Sequence, residues 1–151
     1  MGRYGLRVDP TLLRSLPSTV GGEPAVEAAD IEARALDDQN LPASVEGLAA
    51  ARVGSIGDAN WLVVTIVRLT PAANTDSFFG SWSDEYAQGA CSQANGVGGT
   101  ADQQIGDWTA RVASCKGGVL AYTVRLENRL LLSATELGPR RLGHQLIEAI
   151  Q

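Results

Sequence analysis

"IGDWTARVASCKGGVLAYTVRLENRLLLSAT" runs from Ile105 to Thr135, and its reading decides the fold. Three strand-sized segments follow one another in it. From Ile105 to Ser114 the residues alternate, with Trp108, Ala110 and Val112 on one face. Val119 to Leu126 alternates in the same way, and Arg129 to Thr135 completes the set. "ENR" between the last two is short enough for a tight hairpin turn. Consecutive strands joined by tight turns pair antiparallel, so a three-strand meander is expected here.

Upstream, "WLVVTIVRL" (61–69) is continuously apolar and β-branched. That pattern suits a central strand covered on both faces. Next comes "TDSFFGSWSDEYAQGAC" (75–91), where Phe79, Trp82 and Tyr86 recur at helical spacing and Thr75 or Asp76 supplies a cap. "NGVGG" (95–99) reads as loop. Downstream, "GPRRLGHQLIEAI" (138–150) reads as a terminal helix with Pro139 in its first turn. Leu142, Leu146, Ile147 and Ile150 form its inner face.

The first third is punctuated more heavily. Asp9 caps a short helix that begins at Pro10 and stops at Pro17. "AVEAADIEA" (25–33) is ambiguous between a first strand and a helix start. "NLPASVEGLAAARVG" (40–54) reads as a helix with Leu41, Val45 and Leu48 on one face and Gly54 closing it. The expected fold class is therefore α+β: a mixed, mainly antiparallel sheet with a C-terminal three-strand meander and helices packed on it. The 151 residues read as one domain, with residues 1–24 a loosely attached N-terminal segment.

Composition excludes several classes of function. Hydrophobic residues make up 44% and charged residues 19% of the chain, as in an ordinary globular domain. No apolar run approaches the roughly 20 residues of a transmembrane helix. The formal charge is −5 and the basic residues are scattered, which argues against nucleic acid and against a polybasic membrane anchor. Lys116 is the only lysine among twelve basic residues. The bias toward Arg, Ala, Gly and Val reads as a GC-rich bacterial genome, not as a site. "MGRYGLRVDP" has no apolar signal region and fails the myristoylation pattern at Leu6. It reads as a native start or as a start placed after a removed export signal.

Few residues carry chemistry. Cys91 and Cys115 are the only cysteines, and with the single His144 they are too few for a zinc framework. CxxC redox spacing is absent. A disulfide between them would close a loop of about 25 residues and contribute roughly 3 kcal/mol; two separate buried thiols are the alternative. A disulfide would place the chain in an oxidising compartment. His144 and Glu148 form an i, i+4 pair, read as a half-exposed helix residue and its neighbour rather than a general base. "NGVGGTA" lacks the endings of phosphate-binding loops and is read as a connector. Arg140 and Arg141 are read as a solvated face.

The aromatic stretch is the most unusual in composition. Phe78, Phe79, Trp82 and Tyr86 are more large rings than one buried helix stripe needs. They are the candidate ligand-binding residues, with Phe78, off the Phe79/Trp82/Tyr86 line, expected to be the exposed ring. An enzymatic alternative places acid–base chemistry on Asp84 or Glu85 near Tyr86, without a paired nucleophile and base.

"SFFGSWSDEYAQGAC", then "DWTARVASC", a hairpin and "LGPRRLGHQLIEAI" resemble the extracytoplasmic domains of actinobacterial lipoproteins. They also resemble the related sensor domains of mycobacterial-type receptor kinases. "LPSTVGGEP" (16–24) is similar to the opening of mature secreted lipoprotein domains. The likeness covers roughly residues 60–151 and rests on pattern. It implies a non-enzymatic domain, secreted or anchored at the cell envelope, without cofactor or metal. Its expected partner is a small apolar ligand, a lipid or an envelope protein. An envelope assembly module without a pocket is the alternative reading.

Overall fold

The computed structural model describes residues 6–55 and 57–150. The reading of the chain start falls in part on residues 1–5, outside the described residues. In chain order the first elements are β1 (Arg7–Val8), a 3-10 turn (Pro10–Ser15), β2 (Thr19–Val20), β3 (Glu23–Pro24) and β4 (Val26–Glu27). Then come α1 (Ala29–Leu36), a second 3-10 turn (Leu41–Ala43), β5 (Val45–Val53) and β6 (Trp61–Leu69). A short 3-10 turn (Pro71–Ala73) leads to α2 (Asp76–Cys91), β7 (Val97–Ile105), β8 (Trp108–Cys115), β9 (Leu120–Arg125), β10 (Leu130–Leu137) and α3 (Leu142–Glu148).

The main sheet has the order β1-β5-β6-β10-β9-β8-β7, with β4 also paired to β5. Only β1–β5 is parallel; every other pair is antiparallel. The fold is thus α+β, a mixed, mainly antiparallel sheet with helices on it. β6 is central, between β5 and β10, and it is buried on both faces: Leu62, Val64 and Ile66 on one, Val67 and Leu69 on the other. Alternation along the strands separates two cores. On one face Leu62, Val64, Tyr122, Val124, Leu132 and Ala134 meet Leu142, Leu146 and Ile147 of α3, together with Leu16 and Val20. On the other, Val67, Leu69 and Leu131 meet Leu36, Leu41, Phe78, Phe79 and Trp82.

The hairpin at "ENR" forms as expected. Asn128 and Arg129 both have positive φ, 61° and 63°, and the Leu130 N–H donates to Glu127 O at 3.3 Å. Two positive φ values give the turn the twist that antiparallel strands need. Asp9 caps the first 3-10 turn by accepting from the Thr11 N–H. Thr75 caps α2 by accepting from the Phe78 N–H at 3.1 Å. α3 starts at Leu142, later than expected, so Pro139 lies in the turn before it.

The structure corrects five readings. Residues 45–53 are a strand, not a helix. β5 is buried on both faces, and three consecutive alanines (49–51) leave room for the elements above and below it. "VGG" of the expected loop begins β7, a polar edge strand, so the meander has four strands. Ile105 and Trp108 belong to different strands, joined across Gly106 and Asp107. The segment 6–24 is docked, not loose: β1 pairs with Gly47 and Leu48, and Leu12, Leu16 and Val20 are buried. Finally, Arg140 is not merely solvated. Its guanidinium pairs with Glu23 at 2.7 Å and donates to Gly21 O, pinning the β2–β3 hairpin to the α3 end of the sheet.

Among the described residues no helix is long and apolar enough to cross a membrane. Cys91 and Cys115 form a disulfide with a Cα–Cα distance of 5.1 Å, joining the end of α2 to the end of β8.

Candidate functional site

The sheet face under α2 is unusually hydroxylated. The Trp82 Nε1–H donates to Ser133 Oγ at 2.8 Å, and Thr123 Oγ1 donates to Ser83 Oγ at 2.8 Å. Tyr86 Oη and Thr135 Oγ1 share a hydrogen bond of 2.6 Å, and burial pushes the Tyr86 hydroxyl up to about 12. At the N-terminal end Arg125 pairs with Asp76 and donates to Asn74 Oδ1 at 3.2 Å. Ala87 packs against the small residues Ala113 and Ala121 at the other end, where Cys91 is buried. These contacts fix both the rotation of the helix and the planes of its rings.

That rotation separates the four candidate rings. Phe78 and Trp82, one turn apart, pack on each other with centroids 5.8 Å apart and planes at 40°. Both are half-buried and line an open groove of about 200 Å³. Phe79 packs into the core below and Tyr86 is held against Thr135, so neither lines the groove. Phe78 is therefore not the exposed ring expected of it; it is supported by Trp82 on one side. Among the described residues the one exposed large apolar side chain is Val26.

The facing wall comes from the connection between α1 and β5: Asp38, Asn40, Leu41 and Ser44. Asp38 Oδ1 accepts from the Asn40 N–H at 2.9 Å and Asp38 O accepts from the Leu41 N–H, a local turn that precedes Pro42. The Thr70 N–H donates to Ser44 O at 2.8 Å and ties this wall to the end of β6. Ser81 and Glu85 complete the groove on the α2 side, and a shallower hollow continues past Phe78 toward Thr70 and Ala72. Among the described residues the charged groups lining the groove are the carboxylates of Asp38 and Glu85. Reading 40–54 as one helix concealed this wall. The polar run Asp37 to Asn40 ahead of Leu41-Pro42 was the turn signal that would have exposed it.

Asp84 and Glu85 are exposed on the outer side of α2, while the Tyr86 hydroxyl points to the sheet. A second polar cluster lies on the opposite face. Glu136 is buried, and its Oε1 accepts from the Tyr122 hydroxyl at 2.9 Å and from the Gly143 N–H at 2.8 Å. A Cβ at position 143 would stand 2.7 Å from the Tyr122 ring, so only glycine lets α3 start this close to the sheet. The carboxylate thus satisfies the first amides of α3 from the strand beneath. Burial and the Glu136 charge both push the Tyr122 hydroxyl upward. His144 is half-buried beside this cluster, with its N–H 3.4 Å from Glu136 Oε1. Among the described residues no three His, Cys, Asp or Glu side chains gather as a metal site.

Comparison with known proteins finds no matching family model, no matching curated protein and no matching solved structure.

Proposed function

We propose that this domain is a non-enzymatic binding module of a secreted or envelope-anchored protein, and that the groove beside α2 holds a small ligand with an apolar body. The observation that carries the reading is the pair Phe78 and Trp82. They leave part of two rings in tilted contact open to a concave surface, and Trp82 is held in place by Ser133. Rings that are already ordered lose little entropy on binding. The disulfide supports the oxidising location. The groove is open and modest in size, which suits a fragment-sized or partly inserted ligand better than a fully enclosed one.

The test is saturation-transfer NMR with the neutral probe 2-phenylethanol on the disulfide-bonded protein. Binding is expected, and Phe78→Ala should weaken it by roughly tenfold while the variant still melts cooperatively. Failure of the wild-type protein to bind neutral aromatic probes at millimolar concentration would sink the reading.

A further inference from the structure

Resting on that reading, we infer that the groove selects organic cations: ligands that carry an ammonium or guanidinium group beside an apolar body. Two independent features converge on this chemistry. The rings of Phe78 and Trp82 offer π-faces, whose negative quadrupole attracts a cation placed over them. The two charged side chains lining the groove, Asp38 and Glu85, are both acidic and stand on opposite walls, with no basic side chain among the lining residues. Asp38 Oδ1 accepts from the Asn40 N–H, and among the described residues no hydrogen bond engages its second oxygen. Glu85 is exposed one turn beyond Ser81 and reaches the same space from α2. A cation entering here meets carboxylates from both walls beside the two aromatic rings; an anion meets repulsion from both walls. The net charge of −5 adds a long-range field of the same sign.

The hydroxylated contacts under α2 strengthen the case. They hold Trp82 so that its indole N–H, the positive edge of the ring, points to Ser133 and into the sheet. The most positive part of the ring's edge is thereby turned away from the groove.

The experiment compares three matched probes on the disulfide-bonded protein at neutral pH by titration NMR: 2-phenylethylamine, 2-phenylethanol and 3-phenylpropionate. The amine should bind about tenfold tighter than the alcohol, and the carboxylate weakest. Raising the salt from 0.05 M to 0.5 M should narrow the gap between amine and alcohol without moving the alcohol. The double variant Asp38→Asn, Glu85→Gln should bring the amine to within twofold of the alcohol. Asn at position 38 keeps the carbonyl that accepts from the Asn40 N–H, and Glu85 is exposed, so this variant should melt like wild type. Equal binding of amine and alcohol by the wild-type protein overturns the charge selection and leaves the groove reading standing. Preference for the carboxylate overturns it likewise. Binding of none of the three overturns both.

Discussion

Glu136 and Glu32 are buried carboxylates with different consequences. Glu136 serves the Tyr122 hydroxyl and the Gly143 N–H at once, and Arg141 stands 3.9 Å from its other oxygen. Glu136→Ala removes the acceptor and leaves two buried donors without partners. The expected cost is about 2–4 kcal/mol, measured as a lower urea midpoint with an unchanged slope. A loss below about 0.5 kcal/mol would show that water replaces the carboxylate. Glu32 fills a different gap. β1 and β4 cover β5 at Gly47–Leu48 and at Ala51–Arg52, which leaves Ala50 between them. The Ala28 N–H donates to Ala50 O at 2.8 Å, and the Ala50 N–H donates to Glu32 Oε2 at 3.0 Å. Burial raises the Glu32 carboxyl above its ordinary value, the Ala50 N–H opposes this, and the neighbouring Glu27 carboxyl adds to the rise. A raised acid binds its proton more tightly folded than unfolded, so its favourable contribution is complete below the unfolded value of 4.5 and fades as pH rises through the folded one. Gln at this position keeps an acceptor for Ala50 and carries no charge. Glu32→Gln should therefore melt higher than wild type at pH 7, with the difference shrinking below about pH 4.5. A difference that stays constant from pH 4 to pH 8 would contradict it.

At the scale of elements, α2 is held by hydroxyl contacts along its length and by the disulfide at its end. The Cys91–Cys115 link spans a sequence separation of 24, and reducing it should cost about 3 kcal/mol. Because the link clips α2 to β8, reduction should also loosen the Phe78–Trp82 wall, seen as lost ring-current shifts. Thiol titration of the unfolded, unreduced protein should find no free thiol; two free thiols would remove the basis for an oxidising location. The α2 cap, the β6 run and the hairpin at 127–129 were legible in sequence because each carries a strong local signal: Thr75, an unbroken apolar stretch, and a short polar break between two strand patterns. β5 was not legible. Its alanines favour helix locally, and the strand forms because β1, β4 and β6 take its hydrogen bonds and both faces are covered. β7 was missed for the opposite reason. It is exposed on the sheet edge, so solvent permits glycine and polar residues where a buried strand would demand β-branched ones. The half of the groove on α2 could be read from its aromatics. The half on residues 38–44 could not, since it depends on where β5 begins.

For the whole molecule, the decisive question is whether the N-terminal segment is part of the folding unit. Its composition suggests looseness: short elements, three prolines and two consecutive glycines within residues 9–24. Its contacts say otherwise. Leu12 packs with Ala49, Ile66 and Leu130, while Leu16 and Val20 join the core beneath α3. The Asp9 N–H donates to Leu48 O at 2.8 Å, and Glu23 holds Arg140. The segment therefore lies over the same face as α3 and completes that layer. Removing residues 1–24 would strip three buried aliphatic side chains, each contributing about 1.5–3 kcal/mol by transfer from water. It would also expose the apolar surface they cover on Ile66 and Leu130. The sum, about 4.5–9 kcal/mol, is comparable to the lower part of the usual stability of a whole domain, about 5–15 kcal/mol. The truncated chain beginning at Ala25 should therefore lose cooperative melting, bind a hydrophobic dye and aggregate, even with the disulfide intact. A truncated chain that stays monomeric and melts cooperatively within a few degrees of the full chain would show that α3 and the sheet close that core alone, and that the segment is an appendage after all.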